Sequence, residues 1–171
     1  VPMKHARHVA EFCEILFDSL KALHRLPPVW GKILEAAALL YDTGHFISDT
    51  AHHKHSQYLV QNSDLPGFTA REKMLTAMLC RFHRKSMPTA RHTAFQALAA
   101  DEKRALLQLI PLLRLASALD QSKEQRVKSI TCEPRDGVVV LQVMGTGKVD
   151  LELWGAERAG GSFQQAYERR L

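Results

Sequence analysis

Cysteine is scarce in this sequence, and the three that occur stand far apart. Cys13, Cys80 and Cys132 are odd in number and form no CxxC pair. A disulfide framework and a structural zinc site both need paired or closely spaced cysteines, so this spacing argues against either. The sequence therefore favours a reducing compartment, and we expect a cytoplasmic protein.

Long apolar runs are also missing. No uninterrupted apolar stretch approaches the roughly 20 residues that a membrane helix requires, so we expect no membrane partner. The first residues contain neither an apolar signal core nor a methionine at position 1. We therefore expect a processed product or a fragment of a longer protein.

Aromatic residues make up only 7% of the chain, whereas basic residues are in excess. Lys and Arg number 23 against 18 Asp and Glu, and nine histidines occur among the 171 residues. This surplus of positive charge favours anionic partners such as phosphates or nucleic acids. Single-stranded nucleic acids are bound largely by stacking on aromatic side chains. The shortage of aromatics therefore makes nucleic acid the less favoured partner.

Apolar residues recur at three- and four-residue spacing from residue 4 to about residue 122, as in amphipathic helices. The predicted helices cover residues 4–26, 30–40, 55–61, 69–82 and 100–120. Gly44 follows the second helix and is predicted to form its left-handed cap. Pro111 is predicted to break or kink the last helix, because proline lacks the N–H that an interior position donates.

The pattern changes after residue 126. Three runs rich in β-branched residues are separated by glycine-containing turns, which predicts a three-stranded antiparallel meander. These runs are 127–133, 138–143 and 148–154. Residues 162–170 have the spacing of a short closing helix. We therefore predict a mainly α protein, with a helical domain over residues 1–126 and a small β-α subdomain over residues 127–171.

Five residues that can bind metal ions lie at or near the ends of predicted helices. They are His5, Asp42, His52, His83 and Asp120. In a bundle such side chains can converge on one or two divalent ions, and an ion can activate water towards a phosphoryl centre. Each carboxylate or histidine also has a structural alternative. His5 can face solvent, Asp42 can cap its helix, and Asp120 can accept hydrogen bonds from the backbone that follows it.

Basic side chains are concentrated at the start of one predicted helix and at the end of another. The set comprises His52, His53, Lys54, His55, Arg81, His83, Arg84, Lys85 and Arg91. Cations beside the free N–H groups of a helix start form a natural anion site. The alternative is that the first group is a polar loop entering a helix and the second an exposed helix end.

Several ordered segments resemble the motifs of the HD superfamily, an all-helical group that consists largely of metal-dependent phosphohydrolases. They are His5-Ala6-Arg7-His8-Val9-Ala10, Leu39-Leu40-Tyr41-Asp42-Thr43-Gly44, His52, His83 and Leu115-Ala116-Ser117-Ala118-Leu119-Asp120. Other segments resemble more closely the C-terminal region of the exopolyphosphatase/guanosine pentaphosphate phosphohydrolase (Ppx/GppA) family. They include His52-His53-Lys54-His55-Ser56, Gln61-Asn62-Ser63-Asp64-Leu65-Pro66-Gly67-Phe68 and Arg81-Phe82-His83-Arg84-Lys85. This second resemblance covers essentially the whole chain.

The resemblance implies an HD-like helical bundle with a binding role. In the Ppx/GppA family, hydrolysis of the terminal phosphate is assigned to an N-terminal pair of actin-like domains, whose glycine-rich phosphate loops have no counterpart here. The C-terminal half holds polyphosphate chains and forms the dimer. We therefore expect the nine basic residues to bind polyphosphate or a polyanion of the guanosine pentaphosphate type. We also expect a homodimer, a parent hydrolase that supplies the actin-like domains, and no activity from this chain alone.

One position departs from the HD pattern. Tyr41 stands where the HD doublet has histidine, and a phenol with an ordinary pKa of about 10 is a poor metal ligand at neutral pH. A dinuclear centre is therefore disfavoured, and a divalent ion (Mg, Mn or Zn) at the five candidate ligands is a secondary expectation. The alternative function is an HD-type metal-dependent phosphohydrolase acting on nucleotides or phosphoesters.

Overall fold

Seven helices occupy the first two thirds of the chain in a computed structural model that describes residues 3–171. They are α1 (Met3–Ser19), α2 (Lys21–His24), α3 (Pro28–Leu40), α4 (His52–Gln61), α5 (Ala70–Arg81), α6 (Thr93–Gln96) and α7 (Ala100–Ala118). A 3₁₀ turn at Thr43–Phe46 lies between α3 and α4. The first two residues of the predicted helical domain lie outside the described part of the chain.

Local sequence signals account for several helix ends. Pro28 begins α3, where its missing N–H costs nothing. Thr69 caps α5 by accepting the Glu72 N–H at 3.0 Å, and the Glu72 carboxylate accepts the Thr69 N–H at 3.0 Å. The single helix predicted over residues 4–26 is divided in two at Leu20, whose φ of −106° and ψ of 12° depart from the helical conformation, and the left-handed Arg25 ends α2.

Helix α7 runs through Pro111 without the break that the sequence predicts. An interior proline costs about 3 kcal/mol, but the residues on either side of it are fully buried. Leu109, Ile110, Leu112 and Leu113 all have an exposure of 0%. Core packing on both flanking turns therefore outweighs the lost hydrogen bond. No helix within residues 3–171, α7 included, is both long and apolar enough to cross a membrane.

The tail contains two strands and a helix, so the predicted third strand is wrong. Strands β1 (Val127–Arg135) and β2 (Val138–Gly145) pair in antiparallel register, with an irregularity between Val127 and Ser129. Residues 148–154 belong instead to the approach and first turns of α8 (Asp150–Tyr167).

Helix α8 forms because its buried positions follow the helical period over a longer span than the seven-residue alternation that predicted a strand. Its buried side chains are Glu152, Ala156, Phe163 and Tyr167, spaced four, seven and four residues apart. Gly155 allows close contact with α7, since a Cβ at that position would lie 3.2 Å from the Ala118 Cβ. A short apolar-polar alternation cannot distinguish these two outcomes.

One hydrophobic core includes side chains from the helical region and from the tail. Leu16 and Leu109 belong to the same buried cluster as Val127, Val139 and Phe163. The mainly α fold with a small β tail is therefore confirmed. The division into domains at residue 126/127 stays a prediction.

Candidate functional site

A cavity of about 540 Å³ opens where the ends of several helices meet. Its walls include all five residues that the sequence offers as metal ligands, which are His5, Asp42, His52, His83 and Asp120. His5 lies on α1 and Asp120 follows α7, so residues 115 positions apart in sequence are in direct contact here. The structure therefore brings the candidate residues together, although it divides them into two groups with different bonding.

The first group is a continuous line of hydrogen bonds, which we call the closed chain. His5 Nδ1 donates to Asp120 Oδ2 at 2.7 Å, and His5 Nε2 accepts from the Tyr41 hydroxyl at 2.7 Å. The Tyr41 oxygen in turn accepts from Ser117 Oγ at 2.9 Å. Burial raises the pKa of the Tyr41 phenol far above its ordinary value, so this group stays protonated. His5 is buried and does not face solvent.

Asp120 is held by the backbone that follows it as well as by His5. Its carboxylate accepts the Gln125 backbone N–H at 2.9 Å and the Gln125 side-chain amide at 3.1 Å. Burial alone would raise the pKa of Asp120, but the hydrogen bonds from His5 and Gln125 hold it below its usual range. The structural role that we considered for Asp120 is therefore realised.

The metal position implied by the HD pattern does not fit these residues. Both nitrogens of His5 take part in hydrogen bonds, and Asp120 already has three donors. Tyr41 adds a neutral hydroxyl where the pattern requires a ligand. An ion at this position would have to break the hydrogen bonds of the closed chain.

The second group is Asp42, His45 and His52, which we call the open trio. One ligand atom from each of the three lies within 4.8 Å of the others. The Asp42 Oδ1 atom is 3.6 Å from His45 Nε2 and 3.7 Å from His52 Nε2. Sequence reasoning missed His45, although the spacing Asp42-x-x-His45 was available as a signal for two side chains on one turn.

Gly44 fixes the 3₁₀ turn of the open trio against α4. A Cβ at Gly44 would collide with the carbonyl oxygen of His52 and with Ser56. The Gly44 N–H donates to Ser56 Oγ at 2.8 Å, and Ser56 Oγ donates to the Tyr41 carbonyl at 2.5 Å. The φ angle of Gly44 is not positive, so the predicted left-handed cap is wrong. Glycine is required here for space between two backbones.

His52 and His83 form a second line of hydrogen bonds at the edge of the open trio. Arg84 donates to His52 Nδ1 at 2.6 Å, so the neutral imidazole carries its proton on Nε2. That N–H points to His83 Nε2 at 3.1 Å, and His83 Nδ1 donates to the Cys80 carbonyl at 2.7 Å. Burial lowers the pKa of His52, helped by the charges of His45 and Arg84. Burial also lowers the pKa of His83, to about 4.

The nine residues predicted to bind polyphosphate do not lie on one surface. His52, His83 and Arg84 line the main cavity, whereas Arg81 and Arg91 line a second cavity of about 240 Å³. Of the remaining four, Lys54 and Lys85 are exposed, His55 is half-buried and His53 is buried. Burial lowers the pKa of His53 to about 4, so this histidine is uncharged at neutral pH.

Three cations of the main cavity were not anticipated from the sequence. They are Arg114, Lys123 and Arg158. Arg114 donates to the carbonyls of Phe82 and Lys85 and so positions the loop after α5. The Arg158 guanidinium lies 4.7 Å from the centre of the Trp154 ring. Trp154 ends the segment that was predicted to be a strand, and Arg158 lies between that segment and the predicted closing helix.

Fold and site together define a mainly α domain with a cationic cavity lined by histidines and carboxylates. Residues 1–143 match the family model described as Ppx/GppA phosphatase, domain III. This chain therefore belongs to the Ppx/GppA phosphatase family, and the resemblance drawn from its motifs is confirmed. The match ends before α8, although α8 supplies Leu151, Trp154 and Arg158 to one wall of the cavity.

Three curated relatives of the chain carry the name guanosine-5'-triphosphate,3'-diphosphate pyrophosphatase. The protein from Pseudoalteromonas translucida is 29% identical over 86% of this chain and 28% of its own length. The Vibrio vulnificus protein is 33% identical over 71% of this chain and 24% of its own length. The Aeromonas hydrophila protein is 37% identical over 44% of this chain and 16% of its own length. The chain thus spans about a quarter or less of the relatives that it matches.

Proposed function

We propose that this chain is the phosphate-binding module of a Ppx/GppA-type phosphatase, and that its main cavity takes part of a phosphate polyanion. The observation that carries this proposal is the charge of the cavity. Four cationic side chains line it (Arg84, Arg114, Lys123 and Arg158), against two carboxylates, Asp42 and Asp120. Asp120 has hydrogen-bond donors within the closed chain, and four cations against two carboxylates leave the charge of the cavity lining positive.

Three of these cations can reach a ligand. Arg84 bonds only to a neutral imidazole, and its guanidinium has further N–H groups for phosphate oxygens. The Lys123 ammonium is 3.6 Å from Asp42 Oδ2 and is partly exposed. Arg158 forms no salt bridge within residues 3–171 and rests on an exposed indole. Phosphate binding at these groups releases counterions, so we expect strong dependence on salt concentration.

A longer phosphate chain needs contacts beyond one cavity. We propose that Lys85 and the basic start of α4 (His52, His53, Lys54, His55) extend the contact. Arg81 and Arg91 in the second cavity would serve the same chain, since Arg81 is the last residue of α5 and Arg84 follows it by three residues. The pKa values of His52, His53 and His83 are lowered, so these imidazoles are uncharged at neutral pH. They would therefore contribute hydrogen bonds to the phosphate chain and no positive charge.

Trp154 bears on the choice between two ligands. Inorganic polyphosphate has no group that stacks on an indole, whereas a guanine base does. Trp154 is 55% exposed at the cavity wall, and the relatives are named for a guanosine nucleotide. We therefore expect Trp154→Ala to weaken guanosine pentaphosphate binding and to leave polyphosphate binding unchanged.

Catalysis and assembly are the remaining parts of the proposal. We propose that the parent protein supplies actin-like domains that hydrolyse the phosphate, that this chain supports a homodimer, and that the parent works in the cytoplasm. Exposed Leu153 and Trp154 on the first turns of α8 offer an apolar surface for such pairing. Sedimentation of the purified chain tests the dimer. A phosphate-release assay with Mg²⁺, Mn²⁺ or Zn²⁺ tests the alternative, an HD-type phosphohydrolase, which the closed chain disfavours.

Binding of long-chain polyphosphate in EDTA tests the proposed function directly. We expect Arg84→Ala and Arg158→Ala each to weaken binding about tenfold and to make its salt dependence shallower. Arg135→Ala is the matched control, because Arg135 is exposed on the hairpin and paired with Glu133. If heparin displaces polyphosphate as well as unlabelled polyphosphate does at low salt, the cavity has no specific phosphate site and the proposal fails.

A further inference from the structure

We propose that the open trio of Asp42, His45 and His52 binds one divalent transition-metal ion, at a position displaced from the one that the HD pattern implies. The nitrogen and oxygen donors suit Zn²⁺ or Co²⁺ better than Mg²⁺, which prefers oxygen ligands throughout. This ion site goes beyond the phosphate-binding function and does not depend on it, whereas its coupling to phosphate through Arg84 rests on that function.

The Asp42 carboxylate is the first argument. It is buried, yet it accepts no hydrogen bond from any group in residues 3–171. Four nitrogens surround it instead, from His5, His45, His52 and Lys123, each at 3.6 or 3.7 Å. Such distances are too long for hydrogen bonds. They approach the separation of about 3.3 Å between two ligands of one tetrahedral zinc ion. The Lys123 ammonium, itself partly exposed, is the only one of the four that carries a permanent charge.

His45 is the second argument. Its Nδ1–H donates to the Asp49 carboxylate at 2.6 Å, which leaves the lone pair of Nε2 free on the side of Asp42. A histidine oriented in this way by a carboxylate is the usual arrangement behind a metal ion. The donor pattern of His45 therefore suits coordination. Its ring stacks on the His52 ring, with the centroids 3.9 Å apart and the planes at 20°, so the two rings must turn about their side-chain bonds to share one ion.

His52 makes the site sensitive to Arg84. Because Arg84 donates to His52 Nδ1, the proton of the imidazole is on Nε2, the atom that would face the ion. When the ion binds, Nε2 releases that proton to water and Nδ1 takes one from water, so the imidazole stays neutral. The new Nδ1–H can donate to the Asp49 carbonyl, now 3.4 Å away. The exchange also breaks the hydrogen bond from His52 Nε2 to His83 Nε2, which leaves His83 Nε2 as a free acceptor. Arg84 loses its acceptor and becomes free for a phosphate oxygen.

This exchange couples the two ligands of the cavity. Metal binding frees Arg84 for phosphate, and phosphate binding to Arg84 frees His52 for the metal. By linkage each ligand raises the affinity for the other by the same factor. We expect Arg84→Ala to tighten metal binding severalfold, because the competing hydrogen bond is gone. Lys85→Ala, a neighbouring and exposed cation, is the control and should have no effect.

Cobalt titration of the chelator-treated chain tests the site. We expect one Co²⁺ per chain, with visible absorption typical of four or five ligands, and competition by Zn²⁺. His45→Gln should weaken binding at least 100-fold, since one of three ligands is lost. The control His55→Gln, a half-buried histidine on α4 outside the trio, should bind as the unaltered chain does.

Two results would overturn this proposal. One is that the unaltered chain takes up no Co²⁺ or Zn²⁺ at micromolar concentrations. The other is that His45→Gln and His55→Gln bind the ion equally well, which would assign uptake to other histidines. Polyphosphate binding measured in EDTA is independent of both results, so failure of the metal site and failure of the phosphate-binding function can be told apart.

Discussion

The closed chain and the open trio line one cavity and are built from the same residue types, but they differ in whether their polar atoms have partners. In the closed chain, His5 and Asp120 satisfy each other, with Tyr41 and Ser117 completing the line. In the open trio, Asp42 has no hydrogen bond within residues 3–171 and His45 holds a lone pair towards it. Only His52 has both ring nitrogens bonded, to Arg84 and to His83. A satisfied group contributes to stability, whereas an unsatisfied one is available for a ligand.

Tyr41 is responsible for much of this difference. A histidine at that position could offer a ligand, whereas the phenol offers a hydroxyl that His5 and Ser117 bind at 2.7 and 2.9 Å. Tyr41 thereby links His5 and Ser117 in a structural hydrogen-bond network. Asp42, the next residue along the chain, is left facing His45 and His52 instead.

Removing the carboxylate of the closed chain should have the largest effect on stability. Asp120→Ala leaves buried donors of His5 and Gln125 without an acceptor, which we expect to cost about 4 kcal/mol in the free energy of unfolding. Urea denaturation measures this. Asp42→Ala is the matched change in the open trio and should cost less than about 1 kcal/mol. Equal losses in the two variants would remove the distinction between the groups.

Adding a methyl group at Gly44 should disturb the open trio through its backbone. Gly44→Ala places a Cβ against the carbonyl of His52, so the 3₁₀ turn and α4 must separate. We expect a loss of about 3 kcal/mol and weaker Co²⁺ binding. Gly160→Ala, where nothing lies within 4 Å of the new Cβ, should leave both quantities unchanged. An unaltered Co²⁺ affinity in Gly44→Ala would show that the trio does not need this turn.

Removing the Tyr41 hydroxyl should have a smaller effect, confined to the closed chain. Tyr41→Phe loses the hydrogen bonds to His5 and Ser117, and we expect about 2 kcal/mol of destabilisation. Thermal and urea unfolding give the loss, and a Co²⁺ titration of the same variant gives the contrast. If Tyr41→Phe lost more free energy of Co²⁺ binding than free energy of unfolding, Tyr41 would belong to the ion site.

The smallest of these effects should be the pH dependence of the stability that Asp120 contributes. The pKa of Asp120 is lower in the folded chain than its unfolded value of about 3.9, so its stabilising contribution is complete above that value. The contribution is lost as pH falls through the folded pKa. The gap in unfolding free energy between the unaltered chain and Asp120→Asn should therefore stay constant from pH 7 to 5 and narrow below about pH 4. A gap that already narrows above pH 5 would contradict this assignment.

The sequence predicted the helical body well because its helices carry long, regular apolar patterns and clear end signals, such as the Thr69 capping box. The sequence-based prediction was wrong at residues 148–154. The alternation of seven residues predicted a strand there, although the helical pattern of buried residues continues to Tyr167. The candidate ligands were found by residue type at helix ends. Their division into two groups was not predictable, since it depends on hydrogen bonds between residues as distant as His5 and Asp120.

The basic residues also show that contacts between distant parts of the sequence could not be predicted. Arg84 was found because it lies in a visible cluster, whereas Arg158 stands alone in sequence and reaches the cavity only through the packing of α8 on α7. Gly44 was noticed for the wrong reason, because crowding between two backbones leaves no trace in sequence beyond the glycine itself.

One histidine from each group provides the most direct test of the account. Co²⁺ titrations of His5→Gln and His45→Gln, each checked by circular dichroism to be folded, compare the position implied by the HD pattern with the displaced one. We predict that His5→Gln keeps the ion affinity of the unaltered chain and is less stable, whereas His45→Gln keeps its stability and loses the ion. Loss of the ion in His5→Gln together with its retention in His45→Gln would contradict the account.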